Sequence, residues 1–228
     1  MTTYQYSNKG RRKTNQDFLL YKNTAEEPQI FICADGMGGY SHGEVASRVV
    51  SESILEFIED NYHIYKPEQL IKEAIIYAND SLMLKKLALG VGKMGTVITI
   101  LMITGNIAYV SWLGDSRVYQ YRNSQEIYRT EDHSIANELY KIHTLTAADV
   151  EKYASIVTAS IMGDDTLRDI PVEKLDVQDN DIFILCTDGL HKEVGLNHAL
   201  AYTESMKEDL DRLSGSISDN YSFIKVEI

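Results

Sequence analysis

The stretch "TVITILMITGNIAYVSWLGDSRVYQYRN", Thr96–Asn123, decides the fold class. Its apolar residues recur with a period of two, the spacing of strands rather than helices. Gly105-Asn106 breaks the first two runs, and residues that tolerate positive φ at such a point signal a hairpin. The stretch therefore reads as consecutive antiparallel strands, with no helical crossover between them.

Two helical patterns precede it. "GEVASRVVSESILEFIEDNY" places Val45, Val49, Ile54, Leu55 and Ile58 on one face, and "PEQLIKEAIIYANDSLMLKKLA" repeats the pattern with Pro67 near its start. "TYQYSNKGRRKTNQDFLLYKN" alternates like two strands around a polar turn. "QIFICAD" and "DIFILCTDG" are buried strands, "YSFIKVEI" is a last strand, and residues 131–160 and 198–215 read as largely helical. The order predicts an α+β fold: a β-sandwich of two mainly antiparallel sheets flanked by α-helices, four layers α-β-β-α.

The chain has 228 residues and a net charge of −12, which argues against a nucleic-acid partner. No run is long and apolar enough to span a membrane, and residues 1–13 lack the apolar core of a signal peptide. The expected compartment is the cytoplasm. Cys33 and Cys186 each sit in an apolar strand and read as buried free thiols.

The acids carry the functional signal. Asp17, Asp35, Asp115, Asp188 and Asp219 each abut an apolar strand. One aspartate at a strand end is ordinary turn chemistry. Strands packed in sheets end along a common rim, so five such acids would converge and repel unless a cation neutralises them. Oxygen ligands without histidine or cysteine spacing favour Mg²⁺ or Mn²⁺ over Zn²⁺. The glycines after Asp35 would leave room for a backbone carbonyl and waters at the same ion. "DGMGGYSHGE" matches neither a phosphate-cradling GxxxxGK[ST] loop nor a GxGxxG dinucleotide loop. Two ions about 3.5–4 Å apart can drive in-line displacement at phosphorus. Arg11, Arg12 and Lys13 lie just before Asp17, and spacing alone does not choose among them.

Seven motifs in order, "RRKTNQD", "ADGMGGYSHGEVAS", "GKMGTVIT", "WLGDSRVY", "TEDHS", "LCTDGL" and "SDNYSFI", resemble those of the metal-dependent Ser/Thr protein phosphatases, the type 2C or PPM family, in its bacterial branch. The resemblance implies one phosphatase domain over 1–228, with a flap at about 131–169. It implies hydrolysis of phosphoserine and phosphothreonine by direct attack of a metal-bridging hydroxide. Arg12 then binds phosphate, Asp17 orients water, Asp35 bridges two ions and the Gly36 carbonyl ligates the second. Asp188 and Asp219 complete the first ion's ligands, and Asp115 serves a third, weaker ion together with Asp188. The implied cofactors are Mn²⁺ or Mg²⁺. The implied partners are phosphorylated Ser/Thr proteins and a cognate Ser/Thr kinase, with no nucleic acid or membrane and the chain acting as a monomer.

Three positions depart from the family pattern. Gln16 replaces a common glutamate, Met37 a histidine acid of animal members, and Ala159 a flap arginine. Gln16 implies a second ion held more through water, and Met37 a leaving alkoxide protonated by water. His42 reads as a surface histidine, Lys85-Lys86 as a solvated helix end, and Trp112 as a residue that fills a strand face. A phosphoprotein-binding pseudophosphatase is the alternative that Gln16 and Ala159 would favour. A small-molecule phosphatase would share the same chemistry.

Overall fold

The computed structural model describes residues 1–24, 28–37, 42–142, 146, 153, 156–167 and 169–228. Strands β1 (Thr2–Asn8), β2 (Asp17–Lys22) and β3 (Gln29–Gly36) come first. Helices α1 (Gly43–Asn61) and α2 (Pro67–Leu89) follow, then β4 (Thr96–Thr104), β5 (Ile107–Leu113), β6 (Arg117–Arg122) and β7 (Gln125–Arg129). After α3 (Ile135–Tyr140) come β8 (Glu173–Asp176) and β9 (Ile182–Cys186), a π-helical turn (Leu190–Val194), α4 (Leu196–Ala201), α5 (Lys207–Leu213) and β10 (Tyr221–Glu227).

The strands form two five-stranded sheets, ordered β1-β10-β9-β6-β7 and β2-β3-β4-β5-β8. Neighbouring strands are antiparallel. Three apolar layers separate the four structural ones, as the expected α-β-β-α order requires. Ile30, Ile32, Ile98 and Ile100 pack under α1 and α2. Phe31, Cys33, Leu101 and Val110 meet Phe183, Leu185, Ile224 and Val226 between the sheets. Tyr6, Tyr119, Tyr221 and Phe223 lie under α4 and α5. Alternation produces this, since a strand buried on both faces sends odd and even residues into different layers.

Both cysteines are free and buried. They occupy different layers, Cys33 between the sheets and Cys186 under the C-terminal helices. The buried stripe of α1 is Ala46, Val50, Ile54 and Ile58, one residue round from the predicted face at its start. Pro67 opens α2, and Gly90, at φ 66, closes it.

Four expectations need correction. β1 and β2 are no hairpin, because each joins a different sheet. The run β4-β5-β6 also splits: β4 and β5 pair through the Gly105-Asn106 turn, but β6 crosses to the other sheet. Within 131–160, the described residues are helical at 135–140 and at Tyr153, while 156–160 carry a bridge from Val157 to Ser134 and no helix; residues 143–145, 147–152 and 154–155 lie outside the described residues. Lys86 is no solvated helix end, since its ammonium donates to the Met162 and Gly163 carbonyls at 2.6 and 3.1 Å. Strands β7 and β8 had not been expected. Asn123-Ser124, both at positive φ, was the available signal for β7.

Candidate active site

Strand alternation also aims the acids. Phe31 and Cys33 face the opposite sheet, and Asp35 continues their row past the end of the apolar layer. Asp17 is the direct cross-strand partner of Asp35. From the other sheet, Thr187 continues the row of Phe183 and Leu185, and Ser222 the row of Ile224 and Val226. The Thr187 and Ser222 hydroxyls donate to Asp17 Oδ2 at 3.0 and 2.6 Å. Asp17 therefore ties the sheets together where the apolar core stops. Its Oδ1 is buried without a hydrogen-bond partner.

Two backbone approaches draw the remaining acids in. A Cβ on Gly189 would run into the Asn220 carbonyl, so the turns bearing Asp188 and Asp219 touch only because that side chain is absent. Asn220 then clamps the loop before β2. Its amide donates to the Lys9 and Thr14 carbonyls, and its Oδ1 accepts from the Gln16 backbone N–H. That loop carries Arg12, whose Nε and Nη2 donate to Asp219 Oδ1 and Oδ2 at 2.9 and 2.8 Å. Arg12 stands in a turn, so the strand spacing that left Arg11 and Arg12 undecided never applied.

Gly36 serves packing as well. A Cβ there would strike the Gly43 carbonyl, so the bare backbone lets α1 start against β3. The Gly36 N–H donates to the Gln16 carbonyl at 3.0 Å, which also accepts the Ser47 hydroxyl at 2.7 Å. Gln16 turns its amide toward Glu44, at 3.4 Å. Gly38 and Gly39 fall outside the described residues. His42 is exposed, as expected, and sits in the left-handed region at the start of α1.

Asp115 is nearly inaccessible, 5% exposed. Lys192 Nζ donates to its Oδ2 at 2.8 Å and to Asp188 Oδ2 at 2.9 Å. His191 Nε2 lies 3.0 Å from the Asp115 carbonyl. A carbonyl only accepts, so Nε2 carries the proton. Burial, then the nearby Arg117, pushes His191 down to about 4, and the ring is neutral at pH 7. Lys192 had escaped the sequence reading. The i,i+4 spacing from Asp188 was its signal, hidden because the intervening turn was not read as helical.

The segment between β7 and β8 is anchored beside the acids where it is described. Ile161 bridges to Thr96, whose hydroxyl donates to the Asp35 carbonyl at 2.7 Å. Arg117 and Asp132 form a two-bond pair at 2.6 and 2.7 Å that fastens the chain after β7 to β6. Trp112 stacks on His133 and donates to the Glu131 carbonyl, the structural role expected of it. Ala159 is buried and lines a cavity of about 430 Å³ with His133, Thr158 and Leu167.

The acids influence one another electrostatically. Burial raises Asp35 well above the usual carboxylate range, and Asp17, Asp188, Asp115 and Asp219 raise it further. Burial pushes Asp17 up to about 7; the Ser222 and Thr187 hydroxyls oppose this, and Asp188 and Asp219 add to it. Asp115 is raised by burial and by Asp188, against Lys192. Among the described residues no three acid, histidine or cysteine side chains close on one point as a finished metal cage. Arg12 and Lys192 hold Asp219, Asp115 and Asp188 instead. The donor set nonetheless fits a hard divalent cation. It is all oxygen, it carries surplus negative charge, and Asp17 Oδ1 is an orphan acceptor inside it.

A pH dependence follows. The folded Asp17 carboxyl holds its proton to about pH 7, the unfolded one to about 3.9. Between these values the folded chain binds the extra proton, so Asp17 costs metal-free stability as pH rises from about 4 to about 7. His191, lowered to about 4, acts with the opposite sign over much of that window. The expected observation is therefore a difference: metal-free Asp17→Asn gains on the parent, in urea melts, as pH climbs from about 4 to 7. A constant difference would refute the assignment.

Comparison with known proteins identifies the family and the fold. The family model described as "Protein phosphatase 2C" matches residues 5–221. The protein phosphatase PhpP of Streptococcus pneumoniae is 30% identical over 188 residues, covering 79% of this chain and 74% of PhpP. A bacterial serine phosphatase crystal structure superposes with a TM-score of 0.84 at 24% identity, covering 100% of this chain and 98% of that one. The catalytic domain of the serine threonine protein phosphatase PstP, crystallised with two manganese ions, gives a TM-score of 0.78 at 22% identity, covering 100% and 98%.

Proposed function

This chain belongs to the protein phosphatase 2C family, and on that premise we propose that it hydrolyses phosphoserine and phosphothreonine in proteins with the help of Mn²⁺ or Mg²⁺. The observation that carries the reading is that Asp17 pairs directly across the strands with Asp35, that Asp188, Asp115 and Asp219 are near enough to raise its carboxyl, and that Arg12 pairs with Asp219 through two bonds. Asp35, the Gly36 carbonyl, Asp188 and Asp219 would hold the ions. Bound there, a divalent ion supplies Lewis acidity to the phosphoryl oxygens and acidifies water.

The chain's own groups do the positioning. Asp17 Oδ1, free of protein donors, accepts a hydrogen bond from the attacking water and orients it. The water oxygen bonds to phosphorus as the P–O ester bond breaks, and the attacking water gives up one proton to solvent, so inorganic phosphate and the free alcohol form without a phosphoenzyme. Position 37 is methionine, so the leaving alkoxide takes its proton from water. Arg12 exchanges Asp219 for two phosphoryl oxygens, a geometry that suits the planar guanidinium. Its charge stabilises the oxygens as they gain charge in the transition state.

Hydrolysis of p-nitrophenyl phosphate and a phosphothreonine peptide, with Mn²⁺, Mg²⁺ or EDTA and beside Asp188→Ala, tests the reading. Metal-dependent turnover lost in the variant supports it. Metal binding without turnover would instead indicate a phosphoprotein-binding module. Arg12→Ala should raise KM for the peptide about tenfold and lower kcat less, as expected for loss of ground-state phosphate contacts. An unchanged KM would remove Arg12 from the phosphate site. We read the chain as one phosphatase domain acting as a cytoplasmic monomer, with a Ser/Thr kinase generating its substrates. No helix among the described residues is long and apolar enough to cross a membrane.

A further inference from the structure

Lys192 raises a question that the proposed reaction leaves open. Asp115 is an acid with a 7% exposed side chain, and an unpaired charge there would be costly. A lysine ammonium bridges it to Asp188, through the Oδ2 oxygen of each. This is the position an ion shared by those two acids would need. An ordinary surface ion pair contributes little and is easily given up. This one differs, because one partner is buried and the lysine is held in place.

Two local features hold it. Residues 190–194 form a π-helical turn, closed by a 2.7 Å bond from the Gly195 N–H to the Leu190 carbonyl. Such single π turns are uncommon and recur at functional sites. The adjacent His191 donates Nε2–H to the Asp115 carbonyl. Consecutive side chains of one turn thus grip Asp115 by its backbone and its carboxylate. A lysine ammonium is a cation near neutral pH, and here it has a carboxylate on each side, at 2.8 and 2.9 Å. The contact with Asp188 is made through Oδ2 alone, at 2.9 Å.

We infer that Lys192 is a tethered cation standing in place of a metal ion between Asp115 and Asp188, so that this chain loads two divalent ions and excludes a third. The inference rests on the metal-dependent reading above. It replaces the expectation that Asp115 ligates a metal: the residue is a positioning acid, neutralised from within the chain.

Metal stoichiometry tests this without assaying activity. Metal-stripped protein is titrated with Mn²⁺ into the millimolar range, and free ion is counted by electron paramagnetic resonance alongside calorimetry. The parent should saturate at two ions, Lys192→Arg also at two, and Lys192→Met should gain a weak third. Asp115→Asn in the otherwise native chain should leave two, which keeps the test decisive if Lys192→Met misfolds. A parent that takes three ions, a folded Lys192→Met that takes no more than the parent, or an ion lost in Asp115→Asn would each overturn the inference while leaving the phosphatase reading intact. A parent that binds no Mn²⁺ would sink both.

Discussion

Asp35→Asn should lower metal-dependent turnover about 10³-fold or more, since it removes the acid placed to bridge the ions and, with them, the charge stabilisation of the transition state. The same substitution should stabilise the metal-free protein. Asp35 lies among Asp17, Asp188, Asp115 and Asp219, and burial and their charges hold its carboxyl well above the usual range. Its unfolded pKa is near 3.9, so above that pH the folded chain either keeps a proton or bears a repelled charge. An amide of nearly the same shape does neither. Thermal melts near pH 7.5 should therefore show a higher metal-free Tm in Asp35→Asn and a loss of the Mn²⁺-dependent rise. Two opposite changes from one substitution are hard to obtain by general damage to the fold. A variant that keeps near-normal turnover would end the two-metal reading.

The second large effect comes from a residue with no functional group. Gly189→Ala adds a Cβ against the Asn220 carbonyl, a backbone atom that cannot swing aside as a side-chain end would. The turns bearing Asp188 and Asp219 must part. We expect a loss of about 3 kcal/mol in urea unfolding, the upper part of the ordinary range for overpacking. Mn²⁺ affinity should fall by about 10–100-fold, as when the support of a ligand is disturbed. Gly92→Ala is the control, because a Cβ there meets nothing within 4 Å and the backbone is not left-handed. It should be neutral or slightly stabilising. Equal stability in the two variants would show that the Gly189–Asn220 approach does not matter.

Much of this arrangement was legible in the order of residues. Period-two runs ending in aspartate gave both the strands and the rim, because alternation sends Phe31, Cys33 and Asp35 to one side whatever the sheet's neighbours are. The seven motifs assigned roles to those acids before any geometry was known. The pairing of strands across sheets was less accessible. Nothing local in "LGDSR" says that β6 leaves the sheet of β5, since either route buries the same apolar residues. Strand β8, "EKLD", is short and has a single apolar residue, so its pairing with β5 at the sheet edge supplies what its own pattern lacks. The glycines show a similar limit. Their places beside Asp35 and Asp188 were visible, but room for an ion and room for a neighbouring backbone look identical in a sequence.

The sequence by itself determined the layer order, the five acids at strand ends and the family, because alternation and motif spacing are local properties of the chain. Tertiary structure alone decided that Asn220 clamps the Arg12 loop, that Thr187 and Ser222 tie Asp17 across the sheets, and that Lys192 neutralises Asp115. Most of these contacts join residues more than seventy positions apart. Their energies depend on burial and on distances that exist only after the two sheets have closed on each other.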